Sequence, residues 1–505
     1  MSDSGNRGRE KAAPHLSKSR FMAGRQCVLR LYNDVYRREL AAPYSDAQLA
    51  IFERGTKIGE LAQQRWPGGV LVGFKPWERA RAIAATKRLL DDPEVSAIYE
   101  AAFEHQGVFV RVDVLVRNDF GWDMVEVKGS TQAEKELFRQ DVAIQHWVLT
   151  GAGLEVRRAG VLVLNRDYVY PGGDYDLQAL FRLGDATEFC HDMAAELAMQ
   201  VAEFHRMLAA GQPPEVAVGD HCFSPYECPY YAHCTQGMEF PDNPIDDLYR
   251  LNGRRREALQ AMGVETIADI PGNFELTAVQ ERIRQAVISG QPWQSPELGR
   301  VLGEPEWPLH HLDFEAWQSA LPPYPGMRPF DALPFQFSLH VEERDGSLRH
   351  HEYLHEENSD PRRRLAEALL DAMGDIGSIV VYSSYERTVL HALARNLPDL
   401  SERLLALADR LWDLLPVVRS HYYHPDFRGS FSIKSVLPAL VPDAGWQALD
   451  ISDGQAAALA YEQALASGDT RVRERTFGAL RDYCRQDTLA MVQLLRALRE
   501  RSVRG

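Results

Sequence analysis

Between Val108 and Lys128 the side chains alternate between apolar and polar, break, and alternate again. Val108-Phe-Val-Arg-Val-Asp-Val-Leu-Val-Arg117 keeps the two-residue period of a strand for part of its length. Asn118-Asp-Phe-Gly121 has the composition of a turn, and Trp122 to Lys128 resumes as the returning strand. Residues 133–150 then change to helical spacing, 156–165 read as a strand, and 187–209 as a long helix. Farther on, Leu251 to Ile270 reads as helix, turn at Gly263, helix. Its Leu259–Ile267 stretch has the rhythm of a helix-hairpin-helix, whose glycine turn can present backbone N–H groups to phosphate, although such hairpins mostly serve packing. Strand patterns return at 310–315, 335–341, 348–354 and 378–383, with an Asp345-Gly346 hairpin turn between the middle two. The chain closes on an arginine-rich helix over 470–499.

These elements predict an α/β protein. A chain of 505 residues is too long for a single core. The expected division is a frayed tail over 1–15, a first α/β domain over 16–239, a helical connector over 240–307 and a second α/β domain over 308–505. Three strands, then a further strand and helices, suit a ribonuclease-H-like layer in the last of these.

A net charge of −16 excludes a broad basic coat for nucleic acid. It leaves open an enzyme whose carboxylates reach phosphate through divalent cations. Basic residues do crowd near both ends, at Arg7, Arg9, Lys11, Lys18, Arg20 and Arg25, and at Arg471, Arg473, Arg475, Arg481 and Arg485; the first reading of both runs is solvated surface. No apolar run approaches the ~20 residues that span a bilayer, so no membrane partner is expected. The start is polar, with no apolar stretch of a signal peptide. Cytoplasm is then the default compartment, where six cysteines are thiols or metal ligands sooner than disulfides.

Four of those cysteines bracket the first domain: Cys27 in Gly24-Arg-Gln-Cys27, and Cys222-x5-Cys228-Pro-Tyr-Tyr-Ala-His-Cys234. A metal gripping all four would fasten the ends of the domain together. Zinc is one reading, with His221 or His233 as competing ligands, although zinc knuckles favour shorter spacings and an isolated Cys27 suits an iron–sulfur arrangement better. Cys190 and Cys484 have no partners in sequence and read as ordinary buried thiols.

Inside the bracket, Asp113 and Glu126 on paired strands can converge on one Mg²⁺ or Mn²⁺. Lys128 lies two residues beyond Glu126 and so on the same face. The cation would polarise a phosphate and activate water, with the lysine orienting that water or neutralising developing charge. Asp141 and Gln145, at i and i+4 on the following helix, share a face and could reach substrate or metal.

A second constellation lies far downstream. His311-Leu-Asp313-Phe-Glu315 puts Asp313 and Glu315 on one face of a strand. Val380-Val-Tyr-Ser-Ser-Tyr-Glu386 sets a carboxylate where a strand gives way to a helix, and Tyr483-Cys-Arg-Gln-Asp487 places a tyrosine and an aspartate one helical turn apart. Carboxylates gathered in this way can hold two metals roughly 4 Å apart for in-line attack on a phosphodiester, the tyrosine positioning water. Asp413 is an alternative fourth ligand. Lys434, in Gly429-Ser-Phe-Ser-Ile-Lys-Ser-Val-Leu-Pro, would face a nucleic-acid path or, as the plainer reading, be an exposed lysine.

Asp113 with Glu126-Val-Lys128, followed by the glutamine-bearing helix and bracketed by the cysteines, resembles the PD-(D/E)xK superfamily. Within it the segment resembles the RecB-like exonucleases that carry an iron–sulfur cluster, among them the CRISPR-associated adaptation nucleases and the AddB-type helicase–nucleases. That resemblance implies a [4Fe–4S] cluster on Cys27, Cys222, Cys228 and Cys234 and cleavage of DNA, with a helicase or a repair or defence system as possible partner. It covers the first half of the chain. One motif departs: where such nucleases often carry a histidine ligand on an early helix, Gly59 stands here, and neighbouring Glu60 is rotated about 100° away. Asp313-x-Glu315 and Tyr483-x3-Asp487 resemble the tyrosine-bearing DEDD exonucleases of the ribonuclease-H-like superfamily, which implies 3′→5′ trimming; Glu386 replaces their usual aspartate. Together the two halves resemble uncharacterised bacterial proteins that join a RecB-like to a ribonuclease-H-like domain. The competing readings are that one domain is a nucleic-acid-binding platform without activity, or that the protein is an iron–sulfur redox sensor that binds nucleic acid uncut.

Overall fold

A computed structural model describes residues 14–504. Of the basic run at the start, Arg7, Arg9 and Lys11 lie outside the described residues, as does nearly all of the expected tail. The chain forms two compact units. One holds the residues up to Met238 together with Ala320–Phe330, and the other holds Glu239–Ser319 with Asp331 onward.

The first unit is built on a seven-stranded sheet. Its strands are β1 (Leu16–Ser17), β2 (Val70–Leu71), β3 (Ala97–His105), β4 (Val108–Asn118), β5 (Gly121–Lys128), β6 (Val156–Leu164) and β7 (Phe181–Asp185). They run in the order β2-β3-β4-β5-β6-β7, with β1 parallel to β4. β3, β4 and β5 form an antiparallel meander, and β5 passes through a helix to parallel β6. The helices are α1 (Lys18–Gln26), α2 (Val28–Tyr36), α3 (Asp46–Gln63), α4 (Arg79–Asp91), α5 (Glu136–Gly151), α6 (Leu177–Leu180), α7 (Thr187–Ala210) and α8 (Tyr231–Cys234). A Ser45–Gln48 capping box starts α3, and Gly211, in the left-handed region at φ 64°, ends α7. β3 shows no alternation in sequence because Ala97, Ile98, Tyr99, Ala101, Ala102 and Phe103 are all buried, on both faces of the sheet.

The second unit contains α9 (Gly253–Ala261), α10 (Ala278–Ser289), β8 (Trp293–Gln294), α11 (Leu298–Leu302), β9 (Leu309–Trp317), β10 (Leu333–Glu342), β11 (Leu348–Leu354), α12 (Arg362–Ala372) and β12 (Ile379–Val381). After these come α13 (Tyr385–Asn396), α14 (Ser401–Asp409), β13 (Leu411–Asp413), α15 (Leu414–His421), β14 (Tyr422–Tyr423), α16 (Ile433–Leu440), α17 (Gly454–Ala466) and α18 (Thr470–Arg504). Five strands make its main sheet, in the order β11-β10-β9-β12-β13. The first three are antiparallel, and β12 runs parallel to both β9 and β13. Gly346 takes φ 85° in the β10–β11 turn, as Asp345-Gly346 leads one to expect.

The segment expected to be a separate connector shares the core of this second unit. Leu259, Ile267 and Ile283 are buried in one apolar cluster with Leu309, Phe335 and Leu480. The helical hairpin is half formed. Gly263 makes the turn at φ 72°, but a single 3-10 turn at Ile267–Asp269 follows where a second helix was expected. With Leu259, Val264 and Ile267 buried, the hairpin serves packing.

Candidate functional site

β4 and β5 are paired as far as Val114 and Val125. Beyond that point β4 keeps β3 as its neighbour while β5 continues beside β6, so the two strands part. Asp113 and Glu126 stand at the fork. Asp113 spans it with its side chain, Oδ2 accepting the Val127 N–H at 2.7 Å. Glu126 is 2% exposed. Its Oε1 accepts from Lys128 Nζ at 2.8 Å and from Lys18 Nζ at 2.6 Å, and its Oε2 accepts from Gln145 Nε2 at 2.7 Å. Lys128 Nζ also bonds Asp141, and Lys18 Nζ is 3.6 Å from the same carboxylate. All five residues expected here, Asp113, Glu126, Lys128, Asp141 and Gln145, are therefore brought together.

Two neighbours escaped the sequence reading. Glu100 takes φ 55°, in the left-handed region that non-glycine residues rarely adopt, between the Tyr99–Val114 and Ala101–Val112 pairs of β3 and β4. Burial, with Glu126 nearby, raises its carboxyl despite Arg111 and Lys18. Nothing in its alanine-rich surroundings signals it. Lys18, expected as solvated surface, is instead an ion-pair partner in this cluster. Its one sequence signal is a cation directly after the Ser17 cap, where a helix dipole disfavours positive charge. Of the rest of that run, Arg20 and Arg25 bond the Asp34 carbonyl and Gln200. Glu60 is exposed on α3 and has no hydrogen bond to the cluster.

The charges sort unequally. Burial and the adjacent Glu126 push Asp113 up to about 8 despite Lys18. Glu126 is more deeply buried, but Lys128 and Lys18 outweigh that and hold it below the usual carboxylate range. With both Glu126 oxygens engaged by two ammonium groups and an amide, this donor set, as arranged, does not fit a divalent ion.

The four bracketing cysteines converge. Cys27 lies between α1 and α2, Cys222 closes a 3-10 turn, the Cys228 N–H bonds the Cys222 carbonyl at 2.7 Å, and Cys234 ends α8. All four line one pocket with Arg30, His221 and Tyr230. Gln26 Nε2 donates to the His221 and Tyr226 carbonyls, each at 2.7 Å, and Tyr230 OH donates to Asp34 at 2.7 Å; these bonds already tie the two ends of the unit together. Burial, and then the neighbouring thiols, raise Cys228 and Cys234. Sulfurs around one zinc ion at 2.3 Å lie about 3.8 Å apart. Among the described residues no three of these sulfurs come within 4.8 Å of one another. His221 Nε2 is 3.7 Å from Cys222 Sγ, whereas His233 is exposed. Cys190 is buried in the sheet core, as expected of an ordinary thiol.

In the second unit β9 turns Leu312 and Phe314 into an apolar core and presents Asp313 and Glu315 to the other side. The first turn of α13 brings Glu386, and α18 brings Tyr483, Cys484 and Asp487. Ligand atoms of Asp313, Glu315 and Cys484 lie within 4.8 Å of one another, with Cys484 Sγ 3.8 Å from Asp313 Oδ2. Glu386 shares a hydrogen bond with Asp313 and accepts Ser383 Oγ at 3.2 Å. Asp487 accepts Trp446 Nε1 at 2.8 Å and bonds the Tyr483 hydroxyl, to which Lys434 Nζ donates at 3.1 Å. Glu315 is 6% exposed and has no hydrogen-bond partner among the described residues. Asp313, Glu315, Glu386, Tyr483 and Asp487 thus meet as expected.

Three neighbours differ from expectation. Lys434 is half-buried on Tyr483, with its ammonium 4.9 Å from that ring and 5.5 Å from the Trp446 ring. Cys484 is buried, but against the acids. Asp413 caps α15 with Oδ1, which accepts the Leu415 N–H at 3.0 Å, and its charge also acts on Glu386. In the arginine-rich helix, Arg473 and Arg481 bond Glu356, and Arg475 pairs with Asp450. Trp446 left no trace in the motif, because it is recruited from a loop 41 residues before Asp487.

Burial raises every carboxyl here. Asp313, crowded also by Asp487, Glu315 and Glu386, is well above its ordinary value. Glu315 is pushed up to about 8 and Glu386 to about 7; Asp487, restrained by Lys434, Trp446 and Tyr483, reaches about 6. Two buried and two half-buried acids with one lysine beside them form a donor set that fits hard divalent ions, whose charge would replace the retained protons.

Residues 310–432 match the family described as Domain of unknown function (DUF2779). That span includes Asp313, Glu315 and Glu386 and ends just before Lys434. No curated protein matches the chain. No helix of the described residues is long and apolar enough to cross a membrane.

Proposed function

We propose that this chain is a divalent-metal-dependent nuclease whose phosphodiester hydrolysis is carried by the acids of the second unit. The observation behind this reading is the convergence of Asp313, Glu315, Glu386 and Asp487 from β9, α13 and α18, with Tyr483 hydrogen-bonded to one of them. Bound Mg²⁺ or Mn²⁺ would polarise the scissile phosphate and lower the pKa of the attacking water. The chain's own groups do the rest. The four carboxylates would hold the cations and the Tyr483 hydroxyl would orient the water, while Lys434 fixes that hydroxyl and adds positive charge beside it. A strand order of β11-β10-β9-β12-β13, antiparallel and then parallel, supports the ribonuclease-H-like reading, and with the tyrosine motif it favours 3′→5′ trimming of DNA ends.

The first unit supports a RecB-like PD-(D/E)xK reading through the Asp113, Glu126, Lys128 and Gln145 constellation. Its four cysteines would hold a [4Fe–4S] cluster that clamps the unit's two ends. Because Lys18 already neutralises Glu126, the reading of this unit as a nucleic-acid platform for the other has a specific observation in its favour. The test is a digestion panel of end-labelled DNA and RNA strands with and without Mg²⁺ or Mn²⁺, comparing wild type, Asp313→Ala and Asp113→Ala. Loss of ladder formation in Asp313→Ala is expected. Unchanged products in that variant, or no metal-dependent cleavage of any strand by wild type, defeat the reading. Iron and sulfide content of anaerobically purified protein tests the cluster.

A further inference from the structure

We propose that Lys18 is a built-in counter-ion that takes the place of a divalent cation at the Asp113–Glu126 fork, so that this site is closed to metal until Lys18 is withdrawn. The inference stands on the geometry of the first unit and holds whether or not the second unit is a nuclease. Lys18 Nζ is 2.6 Å from Glu126 Oε1 and 3.6 Å from Asp141 Oδ2, and so sets a fixed positive charge between two acids of the cluster, one of them the fork's own Glu126. Lys128 Nζ approaches the same Glu126 oxygen at 2.8 Å, and Gln145 takes the other oxygen. Asp113 is turned to the Val127 N–H. Each oxygen of Glu126 already has a donor, and Oε1 has two ammonium groups.

Local forces do not put Lys18 there. It is the first residue of α1, directly after the Ser17 cap, where the dipole repels a cation. Its partner, 108 residues away, outweighs that repulsion, so the contact is tertiary in origin. Its side chain is 23% exposed and stands in the first turn of a helix, so withdrawing it asks for movement of a helix start and not of a sheet strand. Lys128, held on β5 between Glu126 and Asp141, cannot leave so easily.

The test counts Mn²⁺ bound per full-length chain, by the loss of free-ion paramagnetic resonance signal, and needs no activity. Lys18→Met is expected to bind one more Mn²⁺ than wild type, and the double variant Lys18→Met/Asp113→Asn to return to the wild-type count. Lys18→Arg, which keeps the charge and guards against a folding artefact, should match wild type. The idea is overturned if Lys18→Met, folded by circular dichroism, binds no more Mn²⁺ than wild type. It is equally overturned if Asp113→Asn alone lowers the wild-type count, because the fork would then already hold an ion.

Discussion

The two acidic clusters of this chain are made of the same groups and are neutralised by opposite means. At the strand fork of the first unit, Asp113, Glu126 and Asp141 face two lysines, and each oxygen of the most buried acid has a donor. On the β9 face of the second unit, four acids share one lysine, and it reaches them through a tyrosine hydroxyl. Burial penalises carboxylates equally in both places. The difference lies in what chiefly answers that penalty: ammonium groups fixed by the fold on Glu126 at the fork, where Asp113 is raised as well, and retained protons throughout the β9 cluster. Protons are readily exchanged for Mg²⁺ or Mn²⁺, whereas a tethered ammonium has first to be moved. A cluster of carboxylates is therefore a cation site only in so far as the protein leaves its charge unanswered.

The largest effect that would break this contrast is catalytic. Asp313→Asn is expected to cut metal-dependent hydrolysis by roughly 10²–10³-fold, while Asp113→Asn leaves the same end-labelled assay near wild type; the reverse order would assign the chemistry to the fork. Next, Tyr483→Phe keeps the ring packing but loses the hydroxyl between Lys434 and Asp487, and should lower kcat by roughly 10–100-fold with little change in KM. Third, Lys18→Met leaves Glu126 with one ammonium partner fewer and should cost about 1–3 kcal/mol in urea unfolding of metal-free protein; no loss would mean that Lys128 and Gln145 already suffice.

The smallest effect sharpens the contrast through pH. Glu315, Glu386 and Asp487 sit at about 8, 7 and 6, above carboxyls of an unfolded chain. Groups raised in this way bind more protons folded than unfolded, so their stabilisation is complete below about pH 4 and is lost as pH rises through about 6 to 8. Metal-free protein should therefore melt lower at about pH 8 than at about pH 6, and Mg²⁺ should restore more of the Tm at the higher pH. Asp113, also near 8, adds to the same slope, whereas Glu126, held low, is ionised in both folded and unfolded chains over this range and adds none. The share of the second cluster is thus the part that flattens in Glu315→Gln. A slope unchanged by that substitution would show that the β9 acids do not retain protons.

Much of this was readable in order along the chain. Period-two alternation located β4 and β5, and with them the shared face of Glu126 and Lys128. The same period paired Asp313 with Glu315, and helical spacing paired Tyr483 with Asp487. β3 was not legible, because a strand buried on both faces loses its alternation and its alanines mimic a helix. The hairpin after α9 was read one helix too many, since Val264 and Ile267 carry helical spacing yet are buried from an irregular stretch and the single 3-10 turn that follows it.

By itself, then, the sequence determined which acids share a strand face and how the four cysteines bracket one unit, because local periodicity sets side-chain direction. Only the tertiary structure decided which charges meet. Lys18 reaches Glu126 across 108 residues, Lys434 reaches Tyr483 across 49, and Cys484 comes to rest on Asp313 across 171. Electrostatic interaction falls off with distance through space and is blind to separation along the chain. What neutralises a buried acid is therefore settled when the elements pack, and no motif spells it out in advance.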